Sequence, residues 1–113
     1  MSITPTFATT PAPPYYAVIF TSTRTSGDHG YDEMAQRMVE LGSSYDGFLG
    51  IETARGADGF GLSVSYWRDE ACIQAWKRDA VHQKAQQAGQ QDWYAHYEVR
   101  IAKVERAYSM TAG

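Results

Sequence analysis

Strand-compatible residues gather in four separate stretches, two of which alternate between apolar and polar positions, and this pattern predicts four β-strands. The first, Tyr15 to Thr23, is rich in β-branched and aromatic residues. The second and third, Phe48–Arg55 and Phe60–Trp67, flank the Gly-rich turn RGADG and are expected to pair as an antiparallel hairpin. The fourth takes about sixteen residues of WYAHYEVRIAKVERAYSM. Since strands usually have five or six residues, we expect it to pair with more than one neighbour.

Two other segments carry apolar residues at helical spacing. In YDEMAQRMVELG they recur every three or four positions, and Gly42 marks the end of the predicted helix. After the third strand, Asp69 is expected to cap a helix in DEACIQAWK. Asp79 is expected to cap a separate segment, DAVHQKAQQAG. The break at Asp79 matters because it would rotate His82 towards the side of the helix that carries Trp76.

The predicted order β-α-β-β-α-β is that of the ferredoxin-like split βαβ arrangement, an α+β fold with a four-stranded antiparallel sheet and both helices on one face. A second copy would bury the other face, and the long last strand would reach across to it. Val99 and Ile101 are expected in that contact. We therefore predict a homodimer, a dimeric α/β barrel formed by residues 15–113, and a flexible Pro- and Thr-rich segment over residues 1–14.

Composition and charge narrow the classes of function. A chain of 113 residues has room for one domain, so a site must lie within it or between subunits. The net charge of −3 and the scattered basic residues predict binding neither to nucleic acid nor to a membrane. The first fourteen residues lack the features of a signal peptide, and the single cysteine, Cys72, fits a reducing compartment, so a cytoplasmic location is expected.

Four segments are similar to the antibiotic biosynthesis monooxygenase domain: YAVIFTSTR, GFLGIETARGADGFGLSVSYW, AWKRDAVHQKAQQAG and WYAHYEVRIAKVERAY. The resemblance runs from Tyr15 to Tyr108, looks closest to uncharacterised bacterial members, and implies the dimeric α/β barrel. Some relatives oxygenate polycyclic phenols to quinones without metal or flavin, and others degrade haem or act on small quinones. The resemblance thus implies an oxidoreductase that acts on a small aromatic substrate.

By this resemblance, Trp67 matches a position near the pocket, and Trp76 matches the helix tryptophan with which the haem-degrading relatives distort their porphyrin. Those relatives place an iron-ligating histidine ten residues later, where this chain has Gln86. They and the quinone-forming oxygenases rely on a pocket asparagine, and this chain contains none. The histidines and the cysteine show no metal-ligand spacing either, so we predict no metal and no other cofactor.

Oxygenation without a cofactor needs a base, donors for the resulting oxyanion, and a dry aromatic pocket. His82 is the candidate base because the pKa of imidazole lies near neutrality, and a solvent-facing helix residue is the alternative. Trp67 and Trp76 would form walls for a flat substrate, unless they are simply core residues. Tyr94 or Arg24 would hold the oxyanion. Further candidate substrate contacts are Tyr66, Trp93 and His96.

Two functions from different classes remain. The first is a cofactor-independent monooxygenase that oxidises a small phenol, anthrone or quinol in a pocket between the sheet and the helices. The second is a non-catalytic dimeric binding module for a hydrophobic small molecule or haem, which Gln86 and the missing asparagine favour. A structural dimer whose pocket is filled by its own side chains is a third alternative.

Overall fold

The structure is a computed structural model that describes residues 7–26, 40, 42–85 and 94–112, and for residues 80–85 it describes the backbone alone. Within these residues the elements, in chain order, are β1 (Tyr15–Arg24), β2 (Phe48–Arg55), β3 (Phe60–Trp67), α1 (Glu70–Ala85) and β4 (Tyr94–Val104). Of the first predicted helix, residues 40 and 42 are described and are helical, residue 43 just past its predicted end is helical too, and the rest lies outside the described residues.

The strands form one antiparallel sheet in the order β2-β3-β1-β4. β1 lies inside the sheet, where Tyr16 pairs with Trp67 of β3 and Val18 pairs with Ile101 of β4. β2 and β3 pair as the predicted hairpin. This is the strand order of the ferredoxin-like arrangement, so the predicted α+β fold class and antiparallel sheet are confirmed.

Alternation along the strands divides the sheet into two faces. On the face that we call the helix face, Val18 and Trp67 pack with Ile73 of α1 in one buried cluster. Side chains of directly paired residues share a face. The strand pairing therefore assigns each of the other strand residues to one face of the sheet. The helix face further carries Tyr16, Phe20, Ser22, Phe48, Ile51, Thr53, Arg55, Ser63, Ser65, Tyr97, Val99 and Ile101. The opposite face carries Tyr15, Ala17, Ile19, Glu52, Leu62, Val64, Tyr66, His96, Glu98 and Arg100, among others.

α1 begins at the predicted cap. The backbone N–H of Cys72 donates to Asp69 Oδ1 at 2.9 Å, and the N–H of Ile73 contacts the Asp69 carbonyl oxygen at 3.4 Å. A carboxylate at this position satisfies an N–H that has no partner within the helix and interacts favourably with the helix dipole. The same backbone bond to Cys72 is the main reason that the pKa of Asp69 lies below its ordinary value.

The predicted break at Asp79 is wrong, because α1 continues without interruption to Ala85. The Asp79 carboxylate accepts a hydrogen bond from the Tyr45 hydroxyl instead of capping a new helix. A continuous α-helix turns by about 100° per residue, so position 82 lies about half a turn round the axis from Ile73. The backbone therefore lacks the rotation that was expected to bring His82 towards Trp76.

The core lies where α1 and the loop before β2 meet the helix face. Trp67 and Ile73 are each 1% exposed, and the free thiol of Cys72 is buried beside them. Gly47, with φ +84°, brings the loop onto the helix: a Cβ atom there would lie 2.4 Å from Cys72 Sγ. Glycine alone adopts this conformation at no steric cost and allows so close an approach. The core also takes partly buried rings, those of Tyr16, Tyr45, Phe48 and Trp76.

The two ends of the described chain meet the sheet in different ways. β4 has 11 residues, fewer than predicted, and residues 105–112 beyond it are exposed and outside the sheet. Towards the other end, in the segment predicted to be flexible, the backbone N–H of Ala8 donates to Glu52 Oε2 at 3.0 Å and the Thr10 hydroxyl donates to that of Tyr15 at 3.1 Å. Residues 8–10 thus contact β1 and β2. No helix in the described part of the chain is long and apolar enough to span a bilayer.

Val99 and Ile101, which were predicted in a subunit contact, are 46% and 39% exposed. They pair with Phe20 and Val18 and therefore lie on the helix face, not on the opposite face that a second sheet would cover. The apolar side chains that the opposite face exposes are different ones. Leu62 is 42% exposed and Phe60 is 52% exposed.

Candidate functional site

An aromatic wall, formed by Trp67, Trp76 and Phe48, stands between α1 and the helix face. The ring centroids of Trp67 and Trp76 are 5.6 Å apart, and Phe48 meets Trp67 edge-on with its centroid at 5.4 Å. Trp67 is buried, whereas Trp76 is partly buried and extends the wall towards the surface. The structure therefore brings together the two tryptophans that were predicted to line a pocket, with Trp67 in the core and Trp76 as the accessible ring.

Next to the wall, hydroxyl groups line the helix face in what we call the polar row, Thr53, Ser63 and Ser65. Thr53 Oγ1 and Ser63 Oγ are 2.9 Å apart, and Trp67 Nε1 donates to Ser65 Oγ at 2.9 Å. Sequence reasoning missed these residues because it looked for titratable groups. The alternation in FGLSVSYW carried the signal, since both serines share the parity of Trp67 and must share its face.

A guanidinium group lies at the end of the polar row. Arg55 Nη2 donates to Ser22 Oγ at 2.6 Å, and Arg55 Nη1 donates to the carbonyl oxygens of Ser22 and Gly59. Ser22 is 2% exposed, so these bonds satisfy a buried hydroxyl. Arg55 thus contributes a cation to the helix face beside the polar row. The predicted oxyanion donor Arg24 lies at the end of β1, where its backbone N–H donates to Gly59 O at 3.0 Å.

Tyr94 belongs to a second aromatic cluster, which lies away from the wall. Its ring meets Phe20 at a centroid distance of 5.3 Å, and Tyr97 stacks on Phe20 at 5.3 Å. Phe20 lies four positions along β1 from Tyr16, the partner of Trp67, which corresponds to about 13 Å of strand. Trp67 and Tyr94, both predicted to be catalytic, therefore line different parts of the helix face.

Tyr66, a predicted substrate contact, lies on the opposite face. Its hydroxyl donates to Glu52 Oε1 at 2.6 Å, and its ring meets Tyr15 edge-on at 5.8 Å. Burial first, and then the hydrogen bond to Glu52, raise the pKa of Tyr66 to about 12. The phenol is thus held neutral and bonded to Glu52, on the side of the sheet away from the wall.

His96 also lies on the opposite face, at the exposed edge strand. Its Nε2 is 3.0 Å from Glu98 Oε2, and Arg100 Nη2 donates to Glu98 Oε1 at 3.0 Å. The bond from His96, followed by the charge of Arg100, lowers the pKa of Glu98. These exposed groups form a short row of polar contacts along β4, on the side of the sheet away from the aromatic wall.

The Cys72 thiol has a basic neighbour that the sequence did not reveal. Arg68 Nη2 lies 3.2 Å from Cys72 Sγ while the guanidinium pairs with Asp46 at 2.8 Å and Asp69 at 3.2 Å. Burial still dominates and raises the pKa of the thiol, so Cys72 stays protonated and is a poor nucleophile. In the described ranges, no three His, Cys, Asp or Glu residues gather into a metal-binding group.

Three positions considered from the sequence cannot be placed at the site. Trp93 and Gln86 lie outside the described residues, and for His82 the structure describes the backbone alone. The residues that it does bring together on the helix face are the aromatic wall and the polar row. Such a surface can stack a flat ring and donate hydrogen bonds to an oxygen at the edge of that ring.

Comparison with known proteins agrees with the fold. Residues 14–88 match the family model described as antibiotic biosynthesis monooxygenase. The chain is 50% identical over 97 residues to uncharacterized protein YqjZ of Bacillus subtilis, covering 86% of this chain and 85% of that protein. It is 33% identical over 94 residues to jasmonate monooxygenase ABM of Pyricularia oryzae, covering 79% of this chain but 43% of that protein.

A solved structure shares the same fold. SnoaB of Streptomyces nogalater, a cofactor-independent oxygenase solved as a mutant, aligns with a TM-score of 0.68 over 82% of this chain and 95% of that chain. The sequence identity is 11%. At that identity the likeness concerns the fold alone.

The raised pKa of Tyr66 predicts a loss of stability at alkaline pH. Because the folded protein holds the phenol proton up to about pH 12 and an unfolded tyrosine releases it near pH 10, the contribution of Tyr66 is complete below pH 10 and is lost as the pH rises towards 12. Urea unfolding between pH 9 and 12 should therefore show a steeper decline for the wild type than for Tyr66→Phe. An equal decline in the unfolding free energy of both proteins would show that folding does not raise the pKa of Tyr66.

Proposed function

Because this chain belongs to the antibiotic biosynthesis monooxygenase family, we propose that it is a cofactor-independent monooxygenase that oxidises a small phenol, anthrone or quinol. The substrate lies between the helix face of the sheet and the helices. The observation that carries the proposal is the aromatic wall beside the polar row, a surface suited to a flat ring with an oxygen substituent.

The proposed reaction makes few demands on the protein. Deprotonation of an anthrone gives an electron-rich anion that reduces dioxygen directly. One oxygen atom enters the attacked ring carbon as a carbonyl, and the other leaves as water with the two hydrogens lost from that carbon. The protein has to bind the ring, take up a proton, stabilise the anion and exclude bulk water.

The polar row supplies donors for the anion. A hydroxyl carries one hydrogen and two acceptor lone pairs, so Ser65 can accept from Trp67 Nε1 and still donate its own hydrogen. In the pair Thr53–Ser63 one hydroxyl donates its hydrogen to the other. The hydroxyl that accepts keeps its own hydrogen free to donate to a ligand. The chain lacks asparagine, and these hydroxyls offer the same kind of donor on the face that carries the wall.

His82 stays the candidate base in this proposal, because histidine is the side chain whose unperturbed pKa lies near neutrality and His82 follows Trp76 by six residues in the same helix. The unbroken helix sets a condition on that role: the base must reach the substrate from the side of α1 away from Ile73. The unbroken helix also favours the alternative function, a binding module that holds an aromatic ligand against Trp76 without converting it into a product.

Oxygen uptake by the purified protein with anthrone, 1-naphthol and hydroquinone tests the proposal. We expect uptake with at least one of them, a loss of about 100-fold or more in His82→Ala, and a loss of about 5-fold to 10-fold in Ser63→Ala through one missing hydrogen bond. Thr21→Ala is the matched control, since it deletes a hydroxyl on the opposite face of the neighbouring strand, and its uptake should equal that of the wild type.

Each assignment has its own contradicting outcome. Full activity in His82→Ala would remove the histidine from the mechanism and leave oxygenation in place. Equal losses of oxygen uptake in Ser63→Ala and Thr21→Ala would show that the helix face has no specific part in the reaction. Binding of all three compounds with no uptake would reject the oxygenase in favour of the binding module.

We further propose that a second copy of the chain covers the opposite face. On that face Ile19 pairs with Val64 and Thr21 pairs with Leu62, and Leu62 and Phe60 keep 42% and 52% of their area exposed in the single chain. An exposed apolar sheet face of this kind is a typical contact between subunits. A sheet-to-sheet dimer would bury these side chains and leave the helix face of each copy free for a ligand.

Leu62→Asp tests the dimer by placing a charge in the proposed contact. Burying an unpaired carboxylate costs several kcal/mol, so we expect sedimentation at micromolar concentration to show monomers for the variant and dimers for the wild type. Gln74→Asp, on the exposed side of α1, is the control and should remain dimeric. A monomeric wild type, or a Leu62→Asp variant that stays dimeric, would contradict this arrangement.

A further inference from the structure

We infer that the indole N–H of Trp76 is the hydrogen-bond donor that holds an oxygen atom of the bound aromatic ligand. The inference deepens the proposed function, because it rests on a ligand between α1 and the helix face and restricts that ligand chemically. The ligand is an aromatic ring with a phenolate, hydroxyl or carbonyl oxygen at its edge.

The two tryptophans of the wall differ in how their N–H groups are satisfied. Trp67 Nε1 donates to Ser65 Oγ at 2.9 Å. Trp76 Nε1 is buried and has no hydrogen-bond partner among the residues that the structure describes. A buried donor without an acceptor destabilises the protein, and buried indole groups usually find a partner. An arriving acceptor therefore regains free energy at Trp76 that it would not gain at Trp67.

Gly42, which has no side chain, lies against Trp76 Nε1. A Cβ atom on Gly42 would lie 3.3 Å from Trp76 Nε1 and 3.9 Å from Cε1 of Phe48. The first distance is a tight contact, so a larger residue at position 42 would press on the donor nitrogen. A methyl group there could not accept the hydrogen bond, whereas an oxygen at the rim of a flat ring can accept it.

The chemistry of the site favours an anionic oxygen. An indole N–H donates and never accepts, so it discriminates against ligand groups that are donors only. Hydrogen bonds to ionised acceptors are about twice as strong as those to neutral ones, so the site favours a phenolate over its phenol. That preference lowers the pKa of the bound substrate, which is the direction that oxygenation through an anion requires.

The test compares the affinities of two ligands that differ by one oxygen, 1-naphthol and naphthalene, measured by calorimetry on the full chain. We expect the wild type to bind 1-naphthol about 10-fold more tightly than naphthalene. Trp76→Phe keeps an aromatic ring but removes the donor, and the ratio should fall to about 1. Gly42→Ala places a methyl group 3.3 Å from Trp76 Nε1 while keeping the tryptophan, and should lower the ratio in the same way.

Trp67→Phe is the matched control, since it truncates an indole whose N–H already has a partner. This variant should weaken the binding of both ligands equally and keep the ratio of their affinities near 10. An unchanged ratio in both Trp76→Phe and Gly42→Ala would overturn the inference, and so would a wild type that binds neither compound. Circular dichroism of each variant verifies the fold.

The outcomes separate this inference from the proposed oxygenase. A Trp76-dependent ratio in a protein that consumes no oxygen would support the donor role and reject the oxygenase. Oxygen uptake in a protein whose ratio ignores Trp76 would support the oxygenase and reject the donor role.

Discussion

The packing of α1 on the end of β3 is the constraint on which the rest of the structure depends. Trp67, the last residue of β3, and Ile73, one turn into α1, are each 1% exposed and share one cluster with Val18 and Cys72. Replacing such a tryptophan by alanine costs about 3–5 kcal/mol in other proteins, a large part of the stability of a small domain. Because β-strands alternate, this contact also decides which face of every other strand meets the helices and any ligand.

The strands were predictable because their signal is local. FGLSVSYW alternates, the turn RGADG separates it from FLGIETAR, and Asp69 caps α1 as expected. The helix break at Asp79 was predicted wrongly for a physical reason: aspartate caps helices, but here its partner is the Tyr45 hydroxyl, which a different loop supplies. A sequence does not display such a long-range partner.

The site was predictable in part. Trp67 and Trp76 were expected near one another and meet at 5.6 Å. Tyr66, His96 and Tyr94 were chosen for their chemistry. Tyr66 and His96 lie on the opposite face of the sheet, and Tyr94 lies farther along β1 from the wall. The hydroxyls of the polar row were overlooked because serine and threonine do not titrate near neutrality. The structure shows that they share the face of Trp67, where the proposal gives them and Trp76 the donor role for which the family resemblance implied an asparagine.

Methyl NMR with 1-naphthol tests most directly the claim that the ligand occupies the helix face. Val18 and Ile51 belong to that face, whereas Ile19 and Val64, their neighbours along or across the sheet, belong to the opposite face. We expect titration to shift the methyl signals of Val18 and Ile51 together with the Trp76 indole signal and to leave those of Ile19 and Val64 in place. Shifts confined to Ile19 and Val64 would put the ligand on the other side of the sheet and contradict the proposed site.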